Sequence, residues 1–186
     1  MYSTSDFRRG LKIEIDGKPL IIVEFQHVKP GKGGAFVRTK LKNLETGQVV
    51  EQTFRSGAKV NKPDMETRYM QYLYTEGTNY VFMENDTYEQ VFIDEGFLQD
   101  VIPFLMPNVD VETLWFKGKP IGVELPVHVV LTVTHTEPGV KGDTASGASK
   151  PATLETGHTV QVPLFIEEGD KLKIDTRTGD YVERAN

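Results

Sequence analysis

The chain has 186 residues and a formal net charge of −6, with 38% hydrophobic, 10% aromatic and 26% charged residues. That balance is globular and excludes a disordered, collagenous or coiled-coil chain. There is no cysteine, which removes disulfides, thiolate metal sites, iron–sulfur clusters and cysteine nucleophiles together. No run approaches the roughly 18 apolar residues of a membrane helix. The opening residues Met1 to Asp6 contain no apolar stretch of the kind that directs secretion. The expectation is a soluble cytoplasmic protein.

Charge divides the chain at two proline-marked points. Residues 1–63 carry 12 Lys/Arg against 6 Asp/Glu, residues 64–127 carry 3 against 12, and residues 128–186 carry 6 against 9. A basic first third attracts a polyanion, while a strongly acidic middle repels one. These three spans are the expected domains.

In chain order, residues 11–15 alternate apolar and polar, Asp16-Gly17 turns, and residues 19–25 run on as a second strand. Residues 35–41 alternate again, and an Asn43-to-Gly47 turn leads into residues 48–54. The result is a basic meander the size of an SH3-like barrel. In the middle third, residues 69–74 and 79–83 flank a turn at 75–78, and residues 87–93 read as a further strand. Phe97, Leu98, Val101 and Leu105 sit at helical spacing, with Pro103 set to cap or kink that one short helix. Residues 111–116 and 121–125 form a hairpin. The last third holds strands at 129–134, 158–162, 171–174 and 181–182. Many short strands at regular spacing predict a mostly β chain of small barrels. Barrels of about 60 residues are marginal alone and are expected to support one another. The echoes at 43–47 and 153–157, and at 17–19 and 118–120, read as shared turn chemistry.

The most informative segment runs from Lys29 to Ala35, between two strands of the basic third. Pro30 fixes φ, and Gly31, Gly33 and Gly34 permit positive φ, so this is a hairpin tip. Lys32 sits among glycines with no neighbouring side chain to shelter it, on a stem of about 6 Å. It is open to phosphate or to covalent modification; an ordinary soluble hairpin tip is the alternative. A phosphate-cradling P-loop is excluded, because Gln26 stands where its first glycine belongs and Gly33 follows the lysine. A dinucleotide fingerprint fails for want of a βαβ unit.

The remaining candidates are weaker. His27, His128, His135 and His158 are scattered singly and show no metal spacing. Acidic pairs such as Glu167-Glu168 read as solvated surface rather than a hydrolytic dyad. Tyr69, Tyr72, Tyr74, Tyr80 and Phe82 could stack on bases, but they lie in the acidic third, so core and domain-packing roles are expected. Residues 138–149 form a long Gly/Ser-rich loop. It is either a connector or a holder of phosphate or a base edge through Lys141, Gly142, Thr144 and Gly147. No constellation suggests an active site, metal or cofactor, so the chain is not expected to be an enzyme.

Four separated segments in order carry a resemblance. They are Pro30-Gly31-Lys32-Gly33, Gly142-Asp143-Thr144, the run KPATLETGHTVQVPLFIEEGD at 150–170, and DTRTGDYV at 175–182. The whole chain resembles the elongation factor P family of bacterial translation factors. The resemblance implies an SH3-like domain followed by two oligonucleotide-binding-type (OB) barrels in an elongated L shape. It implies a non-enzymatic monomer that binds the ribosome between the P and E sites and relieves stalling at consecutive prolines. Lys32, supported by Pro30, Gly31, Gly33 and Gly34, would carry a β-lysyl or aminopentanol extension installed by a modifying enzyme. It would reach toward the CCA end of peptidyl-tRNA. Gly142, Asp143 and Thr144 would lie near the E-site codon of the mRNA, and Tyr181 and Arg184 toward the small subunit. One branch of the family carries a sugar-decorated arginine at the tip, and Lys32 places this chain outside it. An elongation factor P-like paralogue or a general RNA-binding tandem-barrel protein are the alternatives.

Overall fold

The computed structural model describes residues 1–139 and 148–185. The chain is built from β1 (Tyr2–Ser3), β2 (Lys12–Ile15), β3 (Lys18–Val28), β4 (Phe36–Asn43), β5 (Val49–Arg55) and β6 (Lys59–Val60), followed by ten further strands. Strands β2, β3, β4 and β5 form an antiparallel sheet in that order, and β1 pairs with β6. Two compact units result: Met1–Arg68 with Thr113–Gly122, and Tyr69–Glu112 with Val123–Asn186.

The first unit is organised by one hairpin. Ile22 pairs with Leu41, Val23 is left over, and Glu24 pairs with Lys40. Strict alternation would bring Glu24 to the face that Ile22 occupies. The bulge shifts the period by one residue, so Glu24 faces out and Phe25 packs against the core. That core gathers Ile13, Ile22, Val37, Leu41 and Phe54, with Phe7 meeting Phe54 edge-on at 5.4 Å between ring centroids. A smaller cluster of Leu114, Phe116 and Ile121 packs with Leu44 and Met65. The Arg68 guanidinium lies 3.8 Å above the Trp115 ring, and Trp115 Nε1 donates to Thr113 Oγ1 at 2.9 Å.

The middle strands are β7 (Met65–Glu76), β8 (Asn79–Glu84), β9 (Gln90–Asp94), β10 (Asp110–Phe116) and β11 (Lys119–Glu124). They form a sheet in the order β11-β10-β7-β8-β9. The division between units falls inside β7, β10 and β11. The expected strand at 87–93 starts only at Gln90, because Tyr88 takes a φ of 62° in the preceding turn. The expected helix resolves into two single 3-10 turns, Glu95–Phe97 and Ile102–Phe104. Pro103 lies within the second turn and has no N–H to continue a helical ladder.

In the second unit, β12 (His128–Thr136), β13 (Ser149–Leu154), β14 (Thr159–Pro163), β15 (Lys171–Asp175) and β16 (Tyr181–Arg184) form a five-stranded sheet ordered β14-β13-β12-β15-β16. Strand β12 changes partner midway. Residues His128 to Thr132 pair with β15, and Val133 to Thr136 pair with β13. Such a switch turns a barrel corner. Strand β13 was not anticipated from the sequence, where Pro151 and Ala152 are poor strand formers. It forms because Lys150, Ala152 and Leu154 alternate inward onto the core.

Phe104 explains why the middle and last thirds share a unit. It belongs to the cluster of Leu131, Leu154, Val162, Leu172 and Ile174, and its ring meets His158 at 5.1 Å. The segment read as a helix is a plug for the next barrel. The echoed turns are likewise structural. Asp16-Gly17 and Lys117-Gly118 both place two residues at positive φ, and Thr46 and Thr156 both accept from the amide two residues on. Replacing Phe104 with alanine is expected to cost about 3 kcal/mol, the loss typical of an emptied aromatic site. Urea unfolding checks it, and a change below 1 kcal/mol would show that the barrel does not depend on this plug.

Candidate functional site

The candidate site is the tip of the β3–β4 hairpin. Its last pair is Val28 with Phe36, leaving residues 29–35 as the loop. The arm beneath it is three strands wide. Val37 lies between His27 and Phe54, Phe36 pairs with Arg55, and Ser56 N donates to the Ala35 carbonyl at 3.0 Å. Val37 is fully buried, and Thr39 Oγ1 donates to the Gln52 carbonyl at 2.6 Å. The loop therefore rises from a laddered base rather than from two fraying strands.

Pro30, Gly31, Lys32, Gly33 and Gly34 are all exposed. Of the three glycines only Gly33 takes positive φ, at 96°, where a side chain would be strained. A Cβ built at Gly31 or Gly34 would meet nothing within 4 Å. These two positions keep neighbouring side chains away from Lys32 rather than serving a backbone requirement. Register places Arg38 and Arg55 on the arm just below the loop, with Lys29 at its start. Arg38 is held over the Phe36 ring at 5.5 Å, and Phe25 meets His27 edge-on at 5.7 Å. Period-two alternation along β3 and β4 could have singled out these exposed residues. On the same sheet, a groove of about 590 Å³ is lined by Arg9, Glu24, Arg38, Lys40 and Glu51 among others. Its cations and carboxylates nearly cancel, and Lys40 already pairs with Glu24 at 3.5 Å. At the tip, Lys32 is exposed and makes no ion pair among the described residues.

The other expected residues fall elsewhere. Gly142, Asp143 and Thr144 lie outside the described residues. Tyr181 is half-buried and packs on the barrel core, a structural position. Arg184 is more open, 5.5 Å from the Phe165 ring and 3.9 Å from Asp170. The segment from Asp175 to Val182 is a built turn. Arg177 Nη2 donates to Asp175 Oδ2 at 3.0 Å, Gly179 N donates to the Asp175 carbonyl at 2.7 Å, and His158 Nε2 bonds the Gly179 carbonyl at 2.9 Å. Hydrogen bonds from the Arg177 side chain and then its amide hold the Asp175 carboxyl at about 2, below the usual carboxylate range.

The tyrosine series divides. Tyr72 and Phe82 are buried together, and burial pushes the Tyr72 hydroxyl up. Tyr69 and Tyr74 are 65% and 46% exposed, so they are not the packing residues expected. The acidic surroundings still argue against a base-stacking platform. His135 sits between Glu137 and Glu168 at 3.3 and 3.4 Å. Among the described residues, no group of three or more His, Asp or Glu could hold a metal ion. No described helix is long and apolar enough to cross a membrane.

The fold is thus mostly β, and its first unit presents the exposed Lys32 on a braced hairpin, an arrangement suited to docking and positioning. Comparison with known proteins is consistent along the chain. Residues 3–60 match the elongation factor P KOW-like domain, 65–123 the elongation factor P OB domain, and 129–184 the elongation factor P C-terminal domain. Elongation factor P of Moorella thermoacetica is 58% identical over 185 residues, covering 100% of both chains. That of Nitratidesulfovibrio vulgaris is 60% identical over 184 residues, covering 99% of this chain and 100% of its own. Among solved structures, eukaryotic translation initiation factor 5A from Methanococcus jannaschii aligns with a TM-score of 0.55 and 27% identity, covering 66% of this chain and 92% of its own. The chain is a translation elongation factor. It belongs to the elongation factor P family.

The Asp175–Arg177 pair has a defined pH dependence. An unfolded aspartate titrates near about 3.9. The stabilisation is therefore present above about pH 4 and is lost as pH falls through about 2. Thermal unfolding of the native protein and Arg177→Ala should show a gap in Tm that holds from pH 6 to about pH 4 and closes toward pH 2. A gap that persists at pH 2 would mean that Arg177 acts through something other than the carboxylate.

Proposed function

We propose that the chain binds the ribosome as a monomer between the P and E sites and positions peptidyl-tRNA through a modified Lys32, promoting peptide bond formation at consecutive prolines. The observation that carries this reading is the exposed Lys32, without a partner among the described residues, on a hairpin whose base is locked by Val37 and the β4–β5 ladder. An isolated ammonium is useful only if something comes to it or extends it.

The physics suits a positioning role. Proline is a cyclic amine with fixed φ, so the nascent Pro-Pro segment resists the geometry of attack. A factor that holds peptidyl-tRNA in that geometry raises the rate without donating a proton. A 100-fold gain needs only about 2.7 kcal/mol. The basic first third supplies attraction to tRNA phosphate, and the acidic middle third resists non-specific RNA contacts. The lysine stem of about 6 Å is short, which gives a β-lysyl or aminopentanol extension a geometric purpose and requires a modifying enzyme. In this reading Gly142, Asp143 and Thr144 meet the E-site codon, and Arg184, with Tyr181 beneath it, faces the small subunit.

The test is Pro-Pro-Pro peptide synthesis in a purified translation system, with natively modified protein, Lys32→Ala, or neither. The native protein should stimulate by about 100-fold, and Lys32→Ala should remain at background with an unchanged Tm. Full stimulation by Lys32→Ala would overturn the role of Lys32. No stimulation by protein whose mass confirms the extension would overturn the polyproline reading itself.

A further inference from the structure

The runs at 153–158 and 175–180 lie outside the Lys32 hairpin, yet their polar side chains converge where the middle strands hand over to the last ones. Two segments of the chain reach the last barrel there. One is the covalent connection at 125–127, between β11 and β12. The other is the Ile102–Phe104 turn, whose Phe104 plugs the barrel core. Small domains joined by one linker move against each other by default. Burial of Phe104 alone does not stop that, because apolar attraction has no direction. Hydrogen bonds have one, and both segments are held by them.

At the linker, Thr176 N donates to the Val127 carbonyl at 2.8 Å and Thr176 Oγ1 to the Pro126 carbonyl at 2.7 Å. At the plug, Thr156 Oγ1 donates to the Pro103 carbonyl, and the His158 ring meets Phe104 edge-on. One turn joins the two places. Thr176 and Gly179 both belong to the 175–180 turn, which Gly179 N closes by donating to the Asp175 carbonyl at 2.7 Å. His158 Nε2 donates to the Gly179 carbonyl at 2.9 Å. Gly179 has a φ of 80°, and a Cβ there would stand 3.3 Å from His158 Nε2 and 3.7 Å from Phe104 Cζ. Glycine thus lets the turn close onto both rings. Linker, turn, His158 and plug form one continuous circuit of contacts.

We propose that the 175–180 turn is a clasp that fixes the last barrel against the middle strands in a single orientation, with Thr176 and His158 as its positioning residues. The proposal rests on the ribosome-positioning reading above, in which a factor that holds peptidyl-tRNA must itself be held at more than one point. Neither side chain touches RNA in it. They act through the Pro126 and Gly179 carbonyls. The clasp presents the contacts of the last barrel in one geometry, so that binding does not have to order them.

The experiment compares the full-length native protein with Thr176→Val/His158→Phe, a pair that keeps side-chain volume and the ring against Phe104 but removes both donors. A conservative pair, Thr176→Ser/His158→Gln, keeps a donor at each position. Amide residual dipolar couplings are read from β8 and β9 and from β12 and β15, and Pro-Pro-Pro synthesis is followed against factor concentration. One alignment tensor should fit both sets of couplings in the native protein and the conservative pair. The donor-free pair should need two, each set still fitting its own strands. It should also raise the half-saturating concentration about tenfold, as when the competent orientation is populated about one-tenth of the time. The saturating rate should stay within about twofold. The conservative pair should recover at least half the loss. A single tensor for the donor-free pair, or two tensors with an unchanged half-saturating concentration, would overturn the proposal. So would a conservative pair no better than the donor-free one. If the donor-free pair does not fold, Thr176→Val alone carries both readouts with the same outcomes. If the native protein gives no stimulation, the ribosome-positioning reading fails, and the clasp is judged on the couplings, where a single tensor for the donor-free pair would overturn it.

Discussion

The antiparallel register of β3, β4 and β5 is the constraint on which the placement of Lys32 depends. A tip seven residues long has no rigidity of its own, so its position is inherited from the pairs beneath it. Those pairs hold because Val37 and Phe54 are buried on one face and because the bulge at Val23 resets the alternation beyond Ile22. A one-residue slip would exchange Phe25 for Glu24 on the inner face and leave a charge in the core. The register is therefore enforced by burial at several points at once, and the loop glycines need only leave Lys32 uncovered.

The second unit solves a similar problem by other means. Its closing elements are polar side chains at turns, and each holds a backbone carbonyl or amide. His158 bonds the Gly179 carbonyl, Asp175 Oδ1 accepts from the Arg177 amide at 2.8 Å, Thr176 Oγ1 donates to the Pro126 carbonyl at 2.7 Å, and Lys150 bonds the Glu137 carbonyl. Much of what reads as a recognisable run at 150–170 and 175–182 consists of these fastenings. A small barrel leaves few positions for apolar packing, so fixed turns contribute a large share of its definition.

The strands and tight turns were legible in the sequence wherever alternation and φ-permissive residues agreed, as around Asp16-Gly17 and Asn43-Gly47. Two segments were not. Residues 97–106 carry a helical spacing that Pro103 interrupts, and Phe104 instead satisfies its burial in the core of the next barrel. Strand β13 contains Pro151 and Ala152, and its pattern emerges only once Lys150 is recognised as an inward residue, an assignment no hydrophobicity rule makes for lysine. At the candidate site, the isolation of Lys32 was visible from Gly31, Gly33 and Gly34 alone. The brace beneath it was not, because it depends on pairing between β4 and β5 and on Val23 being unpaired. The exposure of Tyr69 and Tyr74 was missed for a related reason, since an aromatic residue in a strand gives no sign of which face is covered.

In the proposed function, activity depends on where the Lys32 ammonium is held and not merely on its presence. The most direct measurement is Pro-Pro-Pro synthesis by a variant that moves the lysine one residue along the tip, Gly31→Lys with Lys32→Gly. The chain should tolerate this change, because Gly31 has open space and no positive φ. With net charge and Tm unchanged, stimulation should fall to the level of Lys32→Ala. Stimulation equal to that of the native protein would contradict the account, showing that a lysine anywhere on the tip suffices and that the braced register has no part in the activity.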